Sequence, residues 1–122
     1  MNYRAQLGRH AEQFVATQLE KNGFTILAKN YRIRQAEIDL IAMRKDLLVF
    51  VEVKMRQEQQ FDLCDVITPS KQYKIIRAAK QYIALHGYDE KDCRFDVALL
   101  EGAQEMKCTY ITNAFNESDC TW

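Results

Sequence analysis

Apolar residues recur at helical spacing at Leu7, Ala11, Phe14, Val15 and Leu19, and the pattern stops at Asn22-Gly23, a pair suited to a left-handed helix end. A first helix is predicted over that stretch. Residues 25–28 and 31–34 are short apolar and aromatic pieces around Lys29-Asn30, as expected of an edge strand turning into a sheet. Residues 37–42 alternate, with Glu37, Asp39 and Ile41 expected on one face and Ile38, Leu40 and Ala42 on the other. Residues 47–54 are nearly continuously apolar, the pattern of a central strand covered on both sides. Arg44-Lys45-Asp46 marks a turn between these two segments. A tight hairpin with Lys45 and Asp46 at its tip sets Met43 opposite Leu48, and the same register carried back along both strands brings Asp39 opposite Glu52.

Thr68-Pro69 is a strong helix start, a hydroxyl N-cap followed by proline at the first helical position. The helix runs to about His86, where Gly87 closes it. It is expected to bury Ile75, Ile76, Ala79, Tyr82 and Ile83 and to turn Lys71, Lys74, Arg77 and Gln81 towards solvent. Residues 94–100 and 107–112 read as two further strands around a Gly102 turn, and residues from about 116 to 122 as a poorly ordered tail.

Composition narrows the class. The chain has 122 residues, 48% of them hydrophobic and 28% charged, and contains one proline, which fits a single globular domain over residues 1–122 without a linker. No run is apolar enough to cross a bilayer and the first residues lack the apolar stretch of a signal peptide, so no membrane partner and a cytoplasmic location are expected. Cys64, Cys93, Cys108 and Cys120 are far apart and only His10 and His86 accompany them, so reduced, partly buried thiols are expected and no zinc site. Balanced formal charge argues against coating nucleic acid by bulk electrostatics. The balance is uneven along the chain: up to Lys80 there are 14 of the 17 basic residues against nine of the 17 acidic ones, which places any phosphate-facing surface in that part.

Candidate chemistry lies in Glu37-Ile38-Asp39 and in Val49-Phe50-Val51-Glu52-Val53-Lys54. A period of two puts Glu52 and Lys54 on one face of their strand, and the hairpin register adds Asp39. Two acids and a lysine suit metal-assisted hydrolysis of a phosphodiester. Mg²⁺, or Mn²⁺, binds through one or two carboxylates, keeps several waters and completes its shell from phosphate oxygens. Asp39 and Glu52 are the expected carboxylate ligands and the Val53 carbonyl a third. Lys54 could orient or deprotonate the attacking water, or neutralise the transition state. A Glu-x-Lys pair on a strand is usually a surface ion pair, but residues 47–53 are too apolar for a solvated face, and burying charges there without a use costs several kcal/mol per ion, to an order of magnitude. Lys71, Lys74 and Arg77 are candidates for phosphate contacts beyond the cleavage point, against the plainer reading of a solvated stripe, with Lys71 foremost. Glu37 is a candidate supporting acid, Asp96 a structural partner of Arg94, and His86 a cap on its helix.

These residues carry a resemblance. Gly8-Arg9-His10-Ala11-Glu12, Ala28-Lys29-Asn30-Tyr31-Arg32, Glu37-Ile38-Asp39-Leu40-Ile41-Ala42 and Phe50-Val51-Glu52-Val53-Lys54 resemble the YraN-like family of bacterial proteins. So do Val66, Thr68 and Lys71, Arg94-Phe95-Asp96-Val97 and Asn113-Ala114-Phe115. That family is similar to archaeal Holliday junction resolvases in the PD-(D/E)xK nuclease superfamily. The resemblance implies an α/β, restriction-endonuclease-like core: a mixed central β-sheet flanked by helices, with the metal held by Asp39 and Glu52 and the site completed by Lys54. It also moves Glu12, which alone reads as a solvated helix residue beside Arg9, into the site as a further acid. The implied activity is a metal-dependent endonuclease acting on structured or branched DNA, with a homodimer as the form that suits a two-fold substrate. The rival expectations are a non-catalytic nucleic-acid-binding module and a small interaction protein that retains the fold. The chain departs from the family in having Gln35-Ala36 where glycines are common, and Phe61-Asp62-Leu63-Cys64 where a glycine and a proline are.

Overall fold

The computed structural model describes residues 3–56, 67–102 and 107–116. Helix α1 (Tyr3–Lys21) leads into three consecutive strands, β1 (Thr25–Ile33), β2 (Ala36–Arg44) and β3 (Leu47–Arg56). Helix α2 (Pro69–His86) follows, then β4 (Asp92–Glu101) and β5 (Lys107–Phe115). The strands form one sheet in the order β1-β2-β3-β4-β5. Strand β3 is parallel to β4 and every other neighbouring pair is antiparallel. A parallel pair needs a crossover rather than a hairpin, and α2 lies in that crossover. The result is the α/β arrangement that the sequence implies, a mixed sheet with helices on both faces.

Local chemistry sets the boundaries. Gly23, at φ 87°, ends α1, and the Phe24 N–H turns back to the Leu19 carbonyl at 3.0 Å. Thr68 caps α2 by accepting the Lys71 N–H at 3.2 Å, Pro69 follows, and Gly87 at φ 68° closes the helix with its N–H on the Ile83 carbonyl. His86 Nδ1 lies 2.9 Å from the Tyr82 carbonyl, so it does engage the helix end. Residues 25–33 form one strand rather than two pieces, because Asn30 takes φ 52° and carries the chain through without a break. Strand β5 runs three residues past its expected end, to Phe115, whose ring stacks on Phe95 with centroids 5.0 Å apart.

Strand β3 is the centre of the molecule. Leu48, Val49, Phe50 and Val51 are each at most 1% exposed. Leu48 and Phe50 pack with Ile75, Ile76, Ala79 and Tyr82 of α2, while Val49 and Val51 pack with Ala11, Val15 and Leu19 of α1. Both faces being covered explains the apolar run. Tyr82 is buried and Ile83 half-buried, as expected of α2's inner side, and Ala78 joins them. Asp96 is fully buried in β4 and fully bonded: Arg94 Nε and Nη2 donate to it at 2.9 Å each, the Tyr110 hydroxyl at 2.6 Å and the Asn113 N–H at 2.8 Å. Arg94 is thus its partner, as expected. Cys93 and Cys108, expected to be partly buried, are exposed, because they sit on outward positions near the ends of β4 and β5. Cys64, Cys120, Val66, the run Phe61-Asp62-Leu63-Cys64 and residues 117–122 of the expected tail lie outside the described residues, as does the Leu7 side chain. No described helix is long and apolar enough to cross a membrane.

Candidate acid–lysine site at the β2–β3 hairpin

The hairpin has the expected register. Met43 pairs with Leu48, and the ladder continues through Leu40 with Val51, one step short of Asp39 and Glu52. There the Val53 N–H donates to Asp39 Oδ2 at 2.8 Å, a carboxylate serving as acceptor in place of the neighbouring strand's backbone. Asp39 is thereby held against the Glu52-Val53-Lys54 segment. Strict alternation fails at this point. Ile38 packs with Ile41 on the α2 side, whereas Leu40 and Ala42 pack under α1, so Ile38 and Leu40 do not share a face. Across the ladder Asn30, in the left-handed region, falls between the pairs Lys29–Leu40 and Tyr31–Ile38, opposite Asp39. Gln35 also lies in the left-handed region at φ 69°, which favours glycine.

Glu52 and Lys54 alternate with Val51 and Val53, which pack towards α1, so their positions belong to the α2 face. Both are half-buried. Burial pushes the Asp39 carboxyl up from its ordinary value, the Val53 N–H draws it down, Glu37 raises it again, and Lys71 and then Lys54 lower it. Glu52 is pushed up further, first by burial and then by the Asp39 charge, against the pull of Lys71 and Lys54. Two buried acids therefore resist ionising together, and the two lysines only partly offset this. Lys71, expected on the solvent stripe of α2, is half-buried and acts on both acids, because the Thr68 cap starts α2 with its first turn over this end of the sheet. Lys74 and Arg77 do lie on the exposed stripe, with Arg77 over the Tyr73 ring at 5.7 Å.

Glu12 reaches the same charge cluster from α1. Its pKa is raised by burial, then by Asp39 and Glu37, and lowered by a hydrogen bond from Asn30 and by Lys29. Turned so that its nitrogen rather than its oxygen faces the two carboxylates, the orientation that acceptor-only oxygens require, the Asn30 amide donates to Glu12 Oε2 at 2.9 Å and to Glu37 Oε1 at 3.2 Å. Asn30 had no place among the expected site residues. Its signal was a residue type that tolerates a left-handed backbone, set between two apolar strand pieces.

Among the described residues no three His, Cys, Asp or Glu side chains converge tightly enough to cage a metal unaided. The donor set nonetheless fits a hard divalent cation shared with a phosphate: two buried carboxylates, Asp39 and Glu52, whose mutual repulsion a cation would relieve. Two surface grooves, of ≈ 650 and ≈ 870 Å³, run along α1 and are lined by none of Asp39, Glu52 and Lys54.

Fold and cluster together define an α/β domain, a mixed five-stranded sheet flanked by helices, with acids and lysines gathered near the β2–β3 strands. The sequence profile of the Uncharacterised protein family UPF0102 matches residues 11–100, and the chain belongs to that family. It is 44% identical to a UPF0102 protein of Nitrosomonas europaea, over 97% of this chain and 100% of the relative. A UPF0102 protein of Alkaliphilus metalliredigens is 40% identical over 89% of this chain and 96% of its own length. Among solved structures, Pyrococcus furiosus SfsA in complex with Ca²⁺ aligns with TM-score 0.43 and 15% identity, over 92% of this chain and 64% of that one.

Proposed function

We propose that this protein is a metal-dependent endonuclease that hydrolyses phosphodiester bonds in structured or branched DNA. The observation that carries the reading is the pair of half-buried acids, Asp39 of β2 and Glu52 of β3, each pushed up by burial and drawn down by Lys54 and Lys71. Asp39 and Glu52 would hold Mg²⁺ or Mn²⁺, with the Val53 carbonyl as a further ligand. Such an ion lowers the pKa of a bound water and offsets the charge that develops on the phosphoryl group. Because Asp39 Oδ2 already accepts the Val53 N–H, its orientation is set before any ligand arrives. Lys54 orients the attacking water or neutralises the transition state, and Lys71 adds a second cation for the phosphate. Lys74 and Arg77, exposed on α2, would meet phosphates further along the same nucleic acid.

The test is incubation of purified protein with branched, nicked and single-stranded DNA and with RNA, in Mg²⁺ or Mn²⁺. Wild type is expected to cleave one of these, and Asp39→Asn or Lys54→Ala to lower the rate by about 10²–10⁴-fold. Wild-type cleavage no greater than that of Asp39→Asn removes the enzymatic reading. Salt-sensitive binding that survives Glu52→Gln without cleavage would leave a nucleic-acid-binding module, and the absence of both an interaction protein.

A further inference from the structure

Asn30 lies in the middle of an edge strand, opposite Asp39, with φ 52°. Few side chains suit that backbone; asparagine and aspartate tolerate it best after glycine. The amide is used as well as the backbone. Its nitrogen donates to Glu12 of α1 at 2.9 Å and to Glu37 of β2 at 3.2 Å, so one side chain ties helix, edge strand and second strand together. Contacts on either side support it: Lys29 Nζ donates to Gln13 Oε1 at 2.9 Å, and Arg32 Nη2 to Glu37 Oε2 at 3.2 Å.

The chemistry of the residue is specific. Glycine would accept the backbone and offer no donor. Aspartate would accept the backbone and repel both carboxylates. Glutamine carries the amide on a longer side chain and tolerates this φ less readily than asparagine. Lysine would hold the two acids by cancelling charge. An amide supplies two N–H donors and no charge, so the acids are held without a further cation among them.

We propose that Asn30 is a positioning residue, which holds Glu12, and with Glu37 the start of β2, beside Asp39 without adding a charge to the site. Its effect on cleavage rests on the nuclease reading; the tether itself does not.

The experiment has two arms. In the first, Asn30→Gly and Asn30→Asp, which keep the left-handed backbone, are assayed with Glu12→Ala for Mn²⁺-dependent cleavage. Both are expected to lose activity by about 10–100-fold, the range for a displaced catalytic group. Asn30→Gly combined with Glu12→Ala is expected to be no slower than Glu12→Ala alone, because Asn30 acts through Glu12. Multiplying losses in the double variant would mark a purely structural role and overturn the proposal. In the second arm, the Asn30 side-chain N–H signals are followed by NMR in Glu12→Ala and Glu37→Ala. Both variants should shift them, and unmoved signals overturn the tether. If wild type cleaves nothing, the nuclease reading falls alone and this second arm still decides what Asn30 holds.

Discussion

Replacing Glu52 by glutamine keeps its shape and removes a charge that the folded protein accommodates badly. Burial, followed by the Asp39 carboxylate, pushes Glu52 from 4.5 up to about 8. In the unfolded chain the group ionises near its ordinary value. Between the two values the native state holds a proton that the unfolded chain has released, so stability falls with rising pH by about 1.4 kcal/mol per unit. The contribution is fully present below about pH 4.5 and is lost as pH rises through about 8. At pH 7 some 2.5 units of that span have been crossed, which is at most about 3 kcal/mol. Asp39, pushed up to about 6, acts in the same direction over a shorter span. Urea unfolding followed by circular dichroism, in chelator, should therefore show Glu52→Gln equal to wild type near pH 4.5 and more stable by up to about 3 kcal/mol at pH 7. Its slope between pH 5 and 8 should be correspondingly flatter. A variant with the wild-type slope, or one less stable than wild type at pH 8, would refute the account of Glu52 as a strained buried acid.

Two further outcomes follow from the same geometry. Mg²⁺ or Mn²⁺ should raise the melting temperature of wild type, more so as pH rises towards 8 because binding must displace protons, and should not raise that of Asp39→Asn or Glu52→Gln. Asp96→Ala, which leaves the Arg94 guanidinium and the Tyr110 hydroxyl without their buried acceptor, should lower the unfolding free energy by about 3–5 kcal/mol in urea melts.

The parts legible in sequence were those with a local cause. The Thr68 cap, the Gly23 and Gly87 stops and the hairpin tip each depend on a few adjacent residues, and the register from Met43 with Leu48 follows once the tip is placed. Asp39 and Glu52 could be brought together on that basis. The break in alternation at Asp39 could not, since what meets Asp39 there, Asn30 of one strand and the Val53 N–H of another, is not local in sequence. Lys71 was misplaced for a related reason. Helical periodicity assigns it to a stripe, but where the first turn of α2 sits over the sheet is a tertiary fact. The Arg94–Asp96 pair was legible as two residues two apart on one strand, but the Asn113 N–H that also reaches Asp96 was not, since that bond joins two strands across a register shift.

The parallel pairing of β3 with β4 bears on the order of assembly. The β2–β3 hairpin closes over two residues, whereas contacts such as Leu47 with Asp92 must wait for α2 and its flanking segments to fold back. The acids therefore meet early, while still hydrated, and lose their water only when α2 docks late. Ionisation of Glu52 then weighs on the native state more than on the barrier to reaching it, so alkaline conditions speed unfolding while leaving the refolding rate nearly unchanged.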